Sequence, residues 1–263
     1  MKDTRLIMGM PVTVEIIDHA DDRALGKEAG ADDFAAVFDY FTYIDGKFST
    51  YKPESEMMRI NRGELAERDW SDDTKIIFML AEETKQRTDG FFDMHRPDGS
   101  IDPSGIVKGW AIWQAAKLVE SRGFKNFYVD AGGDIQVGGV NAEDKPWSVG
   151  IKNPLRQDEI VKTVHLGGAA STPPMGGIAT SGTYIRGEHI YNPKTGEAAN
   201  EILSLTVIGP NVYEADLFAT AAFAMGARGI HFIESLPKTS RLEGYMIDKN
   251  GIATMTTGFE KYT

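Results

Sequence analysis

The segment Asp102–Ala111, with sequence DPSGIVKGWA, combines an acid, a base and two glycines at the start of an apolar-periodic run. Asp, Pro and Ser are typical of helix starts, and Gly123 indicates where the helix ends. The N-terminus of such a helix presents free N–H groups and a positive dipole end, with Lys108 about one turn further on. This arrangement suits a phosphate or carboxylate ligand. An ordinary helix start with a solvated lysine has the same sequence, so this segment alone leaves both interpretations open.

Asp216 and Thr220 lie four residues apart in the alanine-rich run 214–226. The run predicts a closely packed helix, and residues four apart share one face of it. A carboxylate and a hydroxyl side by side are both oxygen donors. Taken alone, the pair is also explained by an acid near a helix N-terminus and a packed threonine.

The composition is that of a soluble globular protein, with 41% hydrophobic and 25% charged residues in a chain of 263. The formal net charge of −11 argues against a general binder of nucleic acids or anionic membranes. An anionic ligand would therefore need a metal, a lysine or a helix N-terminus at its site. The absence of cysteine excludes disulfides, thiolate catalysis and cysteine-bound metals. Neither a dinucleotide fingerprint, G-x-G-x-x-G, nor a P-loop motif occurs.

The chain contains no run of about 18 apolar residues, so we expect no membrane span. Residues 1–8 contain neither an apolar signal region nor a cleavage site. We therefore expect a cytoplasmic protein, the alternative being an exported protein whose leader has been removed.

Hydrophobic periodicity and turn residues predict a single α+β domain over residues 1–263, with a mixed, largely antiparallel sheet and packed helices. The predicted helices are 31–48, 73–88, 102–123 and 214–226. The predicted strands are 10–18, 126–131, 134–137, 147–152, 161–166, 202–208, 245–247 and 252–255.

Four segments in a fixed order resemble the ApbE family, the FAD:protein FMN transferases. The first is DPSGIVKGWA. It is followed by ATSGTY at 179–184, HIYNPKTG at 189–196 and ADLFATA at 215–221. Each motif alone is weak, whereas the four in order, within a match from Met8 to the last strands, make a specific pattern.

The resemblance implies an ApbE-like fold and transfer of FMN from FAD to a Thr or Ser hydroxyl of a target flavoprotein, releasing AMP. It implies Mg²⁺ as cofactor, held by Asp216, Thr220 and the main-chain carbonyl of Gly105. The alternatives are an Mg²⁺-dependent FAD pyrophosphatase giving FMN and AMP, in which water is the acceptor, and a non-catalytic flavin-binding protein.

The same resemblance implies a set of residues that contact FAD. They are Met8, Tyr51, Phe91, Phe92, Asp93, Asp102, Lys108, Thr180, Ser181, Gly182 and Ile190. Met8 is also explained by packing on the core, and Tyr51 by a half-buried loop position. Residues 94–101 form a shorter segment than in longer family members, which puts part of the pocket wall in doubt and predicts a surface position for His95.

His189 is the candidate for the base that takes the proton of the acceptor hydroxyl, because an imidazole with a pKa of about 6.5 works near neutral pH. A structural histidine at this position, or an aspartate near the metal acting as the base, remain alternatives. Asp216 is the second residue to which we assign a catalytic role.

Overall fold

A computed structural model describes residues 1–17, 28–156, 158–168, 175–183 and 190–263. The helices are α1 (Ala31–Phe48), α2 (Glu56–Asn61), α3 (Asp72–Arg87), α4 (Ser104–Ser121), α5 (Val212–Ala224) and α6 (Gly229–Ser235). The strands are β1 (Lys2–Ile7), β2 (Met10–Ile17), β3 (Asn126–Ala131), β4 (Asp134–Gly138), β5 (Trp147–Lys152), β6 (Ile160–Leu166), β7 (Met175–Gly182), β8 (Ile202–Gly209), β9 (Glu243–Asp248) and β10 (Ala253–Met255).

Eight strands form one sheet in the order β1-β2-β3-β4-β7-β8-β9-β10, and β5 and β6 form a separate hairpin. The strand pairs within the described ranges are all antiparallel. The predicted α+β class with a largely antiparallel sheet is confirmed. Of the helices in the described ranges, none is long and apolar enough to cross a membrane.

The sheet separates two hydrophobic cores, because successive side chains of a strand point to opposite faces. One core lies between the sheet and α1, α4 and α5, and it contains the alternating Val12, Val14 and Ile16 of β2. The other lies under the β5–β6 hairpin and contains Ile135 and Val137 of β4. Both faces of the central strands are therefore covered, which holds these strands firmly in place.

Helix α1 has the bounds that its apolar spacing predicts. Phe34, Val37, Phe38, Phe41 and Ile44 are all buried in the first core. These aromatic residues stabilise the packing of α1 against α4 and the sheet and do not line a ligand site.

Two hairpin turns lie side by side at one end of the sheet. The N–H of Gly132, in the β3–β4 turn, donates to the carbonyl of Pro11 at 3.1 Å. In the β1–β2 turn, Met8 and Gly9 have φ angles of 56° and 70°, a region that few residues other than glycine adopt. Gly132 and Gly133 also have positive φ, as a tight hairpin requires.

The start of α5 is seated directly on the sheet. A Cβ atom at Gly177 of β7 would lie 2.1 Å from the backbone nitrogen of Val212. The buried Gln136 of β4 accepts a hydrogen bond from the same nitrogen at 2.7 Å, and the Asn211 side chain caps the helix by accepting from the N–H of Glu214. These contacts fix the height of α5 above the sheet, and with it the positions of the side chains that α5 carries.

We predict that Gly177→Ala lowers the free energy of unfolding by about 3 kcal/mol or more, since the added methyl group meets backbone atoms that cannot rotate away. Urea denaturation followed by circular dichroism measures the change. The matched control is Gly46→Ala on the exposed side of α1, where an added Cβ meets nothing within 4 Å. The control is expected to be neutral or stabilising by up to about 1 kcal/mol. Equal stability of the two variants would contradict this account of how α5 is seated.

Candidate active site

A cleft of about 1040 Å³, measured out to its open mouth, lies where the N-terminus of α4, the middle of α5 and the end of β7 meet. Two loops close its sides, residues 91–96 and residues 190–193. The lining residues are Phe91, Phe92, Asp93, Arg96, Asp102, Ser104, Gly105, Lys108, Gly132, Thr180, Ser181, Gly182, Ile190, Tyr191, Pro193, Asp216, Thr220 and Ala224.

The N-terminus of α4 is positioned by side chains on both sides of it. Asn61 of α2 exchanges two hydrogen bonds with the backbone of Ile101, at 2.8 and 2.9 Å. Asp102 then accepts from the N–H of Ser104 at 3.0 Å, and its other carboxylate oxygen forms an ion pair with Arg96. Ser104 and Gly105, the first residues of α4, therefore line the cleft at the end of the helix whose dipole favours an anion.

Helices α4 and α5 touch at Gly109. A Cβ at this position would lie 2.7 Å from the Cβ of Asp216 and 3.1 Å from the carbonyl oxygen of Val212. Because residue 109 is glycine, its N–H reaches the Asp216 carboxylate and donates to Oδ2 at 2.9 Å. The close approach brings the only carboxylate of α5 that lines the cleft against the first turns of α4.

The electrostatics of the cleft centre on two buried carboxylates and a partly exposed lysine. The ammonium group of Lys108 forms an ion pair with Oδ2 of Asp134 and lies 3.4 Å from Oδ1 of Asp216. Burial raises the pKa of the Asp216 carboxyl well above its usual range, Lys108 opposes that increase, and the charge of Asp134 adds to it. With both carboxylates ionised the group has a net charge of −1, which favours the binding of a cation.

Oxygen atoms of different chemical kinds meet beside Asp216. The hydroxyls of Thr220 and Ser181 are 3.4 Å apart. A Cβ at Gly105 would lie 3.6 Å from a methyl carbon of Thr220 and 3.2 Å from the ring of Phe92, so α4 and α5 are also close here. A main-chain carbonyl has two lone pairs, so the Gly105 carbonyl can accept its helical hydrogen bond and still bind another partner.

These oxygens can hold a hard divalent cation. In the part of the chain that the structure describes, no three His, Asp or Glu side chains come together as a metal cluster. One carboxylate, one hydroxyl and one main-chain carbonyl are instead a set that suits Mg²⁺, which commonly completes its coordination with water and phosphate oxygens.

The ring of Phe91, which lines the cleft, lies beside two positively charged side chains. The Phe91 ring lies 4.4 Å from the ammonium of Lys194 and 5.8 Å from the guanidinium of Arg228. Burial alone would raise the pKa of Asp93, but hydrogen bonds from Lys85 and His95 hold that pKa below its usual range. The aspartate is therefore ionised at neutral pH and fixes the loop that carries Phe91.

The family model described as "ApbE family" matches residues 8–96 and 94–243, which is most of the chain. The chain belongs to the ApbE family. Relatives in this family include the FAD:protein FMN transferase of Klebsiella pneumoniae, which is 31% identical over 171 residues, 61% of this chain and 46% of the relative. The FAD:protein FMN transferase of Vibrio cholerae is 33% identical over 150 residues, 53% of this chain and 43% of the relative. The alignments thus span about half the length of these relatives.

Solved structures of ApbE proteins have the same fold. The flavin transferase ApbE from Vibrio cholerae superimposes with a TM-score of 0.83 at 22% identity, covering 100% of this chain and 99% of the other. The ApbE protein from Thermotoga maritima superimposes with a TM-score of 0.83 at 21% identity, covering 100% and 98%.

Most of the residues that the ApbE motifs predict come together in the cleft. They are Phe91, Phe92, Asp93, Asp102, Gly105, Lys108, Thr180, Ser181, Gly182, Ile190, Asp216 and Thr220. Met8 and Tyr51 are not among the lining residues. Met8 is partly buried against the first core, and Tyr51 is 94% exposed, so its predicted half-buried alternative is wrong. His189 lies outside the described residues, and its role as a base stays a prediction.

Sequence reasoning missed part of the cleft wall. The short segment 94–101 does form wall, because a bridge between His95 and Ile101 closes it and directs Arg96 inward, while His95 itself is exposed as predicted. The other missed lining residues are Ser104, Gly132, Tyr191, Pro193 and Ala224. Asp134, which pairs with Lys108 behind the cleft, was also missed. The one sequence feature that could have indicated Asp134 is its position directly after the Gly132–Gly133 turn.

We predict that Asp216→Asn stabilises the metal-free protein at pH 8 by on the order of 1 kcal/mol. Because the pKa of Asp216 is raised in the folded state, its carboxyl retains a proton above pH 3.8, the ordinary pKa at which the unfolded chain loses it. The stability of the wild type therefore falls as pH rises above about 4, whereas asparagine carries no such cost. The gain should disappear at pH 4. Urea denaturation in EDTA at both pH values measures it, and lower stability of the variant at pH 8 would contradict the prediction.

Proposed function

We propose that this chain transfers FMN from FAD to a Thr or Ser hydroxyl of an acceptor flavoprotein, with Mg²⁺ as cofactor and AMP as the leaving group. The observation that carries the proposal is the convergence of Asp216, Thr220, Gly105 and Lys108 at the N-terminus of α4, where they line one open cleft. The names of the relatives, FAD:protein FMN transferase, support the same reaction.

The residues present fit a magnesium ion. Asp216 supplies a buried carboxylate, Thr220 a hydroxyl one helical turn away, and Gly105 a main-chain carbonyl in the first turn of α4. When bound, Mg²⁺ neutralises charge on the phosphate oxygens and makes the phosphorus more electrophilic.

The chain's own groups orient the pyrophosphate. Lys108 supplies a positive charge beside the candidate cation-binding oxygens, and the positive end of the α4 dipole, at Ser104 and Gly105, adds to it. Phe91 and Phe92 on one side and Ile190 on the other provide apolar surface for a flavin or adenine ring. Charged groups and apolar rings in one cleft are the combination that a dinucleotide with a pyrophosphate requires.

The transfer forms a bond between the acceptor oxygen and the phosphorus of the FMN half. It breaks the bond from that phosphorus to the bridging oxygen, which leaves with its electron pair on AMP. The hydroxyl proton passes to a base, for which His189 is the candidate. The reaction needs no oxidant or reductant, and the protein's contribution is positioning and charge stabilisation.

The test is to incubate the chain with FAD, Mg²⁺ and a flavoprotein that carries an acceptor threonine, and then to denature the mixture. Flavin that remains on the acceptor after denaturation is the expected result, and EDTA should abolish it. Free FMN and AMP without covalent flavin would identify a pyrophosphatase. Unchanged FAD would leave only flavin binding.

We predict that Asp216→Ala lowers the rate of transfer by 100-fold or more, on the order found when a charged group that stabilises a transition state is removed. FAD affinity should fall less, because Lys108 and the α4 N-terminus remain. The covalent-flavin assay and quenching of flavin fluorescence measure the two effects.

Glu214→Ala is the matched control, since Glu214 is an acid in the first turn of the same helix and pairs with Arg87 outside the cleft. The control should retain transfer within about twofold. Equal losses in the two variants would show that Asp216 serves only the stability or dipole of α5.

A further inference from the structure

Asp134 is a buried carboxylate beside the cleft that belongs to none of the motifs. It is the first residue of β4 and only 2% exposed. Its Oδ1 accepts a hydrogen bond from the N–H of Thr180 on β7 at 3.0 Å. Because backbone of the neighbouring strand holds it, this carboxylate has one fixed orientation.

The other oxygen of Asp134 faces Lys108, which lies between two carboxylates. The ammonium group makes its closer ion pair with Asp134, and its distance to Oδ1 of Asp216 is 3.4 Å. All three side chains are largely shielded from water, so the charges interact more strongly than they would at the surface. Lys108 therefore interacts with both carboxylates and lies closer to Asp134 than to Asp216.

Lys108 and a divalent cation compete for the same oxygen. Oδ2 of Asp216 already accepts from the N–H of Gly109, which leaves Oδ1 as the oxygen with more capacity for a metal. A cation that binds there displaces the ammonium group. Asp134 lies within ion-pair distance of the displaced ammonium group and keeps a negative charge beside it.

We propose that Asp134 is a positioning residue that keeps Lys108 off the metal-binding oxygen of Asp216 and holds the ammonium group ready for the phosphates of the nucleotide. The inference rests on the proposed function, since it takes Asp216 as a cation ligand and FAD as the source of those phosphates. Without Asp134, Lys108 would turn fully to Asp216 and oppose the cation.

The test is a double-mutant cycle on cation affinity, with Mn²⁺ as the probe and neither FAD nor acceptor present. The free Mn²⁺ signal in electron paramagnetic resonance gives the affinity of the wild type, D134N, K108Q and the double variant. We expect D134N to weaken Mn²⁺ binding about tenfold or more when Lys108 is present, and less than about threefold in the K108Q background. Equal factors in both backgrounds would mean that Asp134 acts only through its own charge, and would overturn the inference. So would a wild type that binds no Mn²⁺.

Two further variants separate positioning from folding. Asp130→Asn is the control, because the Asp130 carboxylate belongs to the same hairpin but accepts hydrogen bonds from Gly133 and Tyr128 and does not pair with Lys108. This variant should keep Mn²⁺ affinity within about twofold of the wild type. Asp134→Glu keeps the charge and should retain most of the affinity that D134N loses; no recovery would count against the inference. If D134N does not fold, Asp134→Ser replaces it in the same cycle, with the same expected factors in the two Lys108 backgrounds, and equal factors would again overturn the inference.

Kinetics of D134N provide a second readout. The Mg²⁺ concentration at half-maximal rate should rise about tenfold, while kcat at saturating Mg²⁺ recovers most of the wild-type value. A loss in kcat that Mg²⁺ does not restore would contradict a positioning role. The Mn²⁺ titration uses no flavin, so it tests Asp134 independently of the proposed reaction. If flavin transfer is not observed but the double-mutant cycle gives the expected factors, the proposed reaction is wrong and the role of Asp134 is retained.

Discussion

The close approach of α4 and α5 at Gly109 is the constraint on which the site depends. It lets a backbone N–H of one helix reach the Asp216 carboxylate of the other. On its far side α5 is fixed by Gly177 and Gln136 of the sheet. The oxygens that can bind a cation therefore owe their positions to contacts outside the cleft. Glycine at these positions is a packing requirement, because any side chain would separate layers that must touch.

In an acidic chain, a site for an anionic ligand requires local positive charge. The net charge is −11, yet the cleft combines a helix N-terminus, Lys108, Arg96 and oxygens suited to a divalent ion. Each positive group is paired with a carboxylate, Lys108 with Asp134 and Arg96 with Asp102. Pairing fixes the orientation of the long side chains before a ligand arrives, so less side-chain entropy is lost on binding. The cost is the desolvation of Asp216, which binding of a cation would offset.

Much of the fold could be predicted from the sequence where periodicity is strong. The bounds of α1, β3 and β5 agree with the structure because each element buries a regular set of apolar residues. Strand β1 was missed because it is an edge strand with few buried side chains, and it lacks alternation. The motifs located most of the cleft wall. They could not locate Asp134, whose role comes from a neighbour on β7 and a lysine on α4, contacts that exist only once the sheet and helices are assembled.

The depth of Asp216 limits the shape of whatever it acts upon. Its side chain is 4% exposed and lies at the bottom of a cleft whose walls are two loops and two helices. A nucleotide can thread into such a space, but the flat face of a folded protein cannot. An acceptor hydroxyl would have to arrive on a projecting loop or an unfolded tail, so selection among acceptor proteins would depend first on which of their residues protrude far enough to enter.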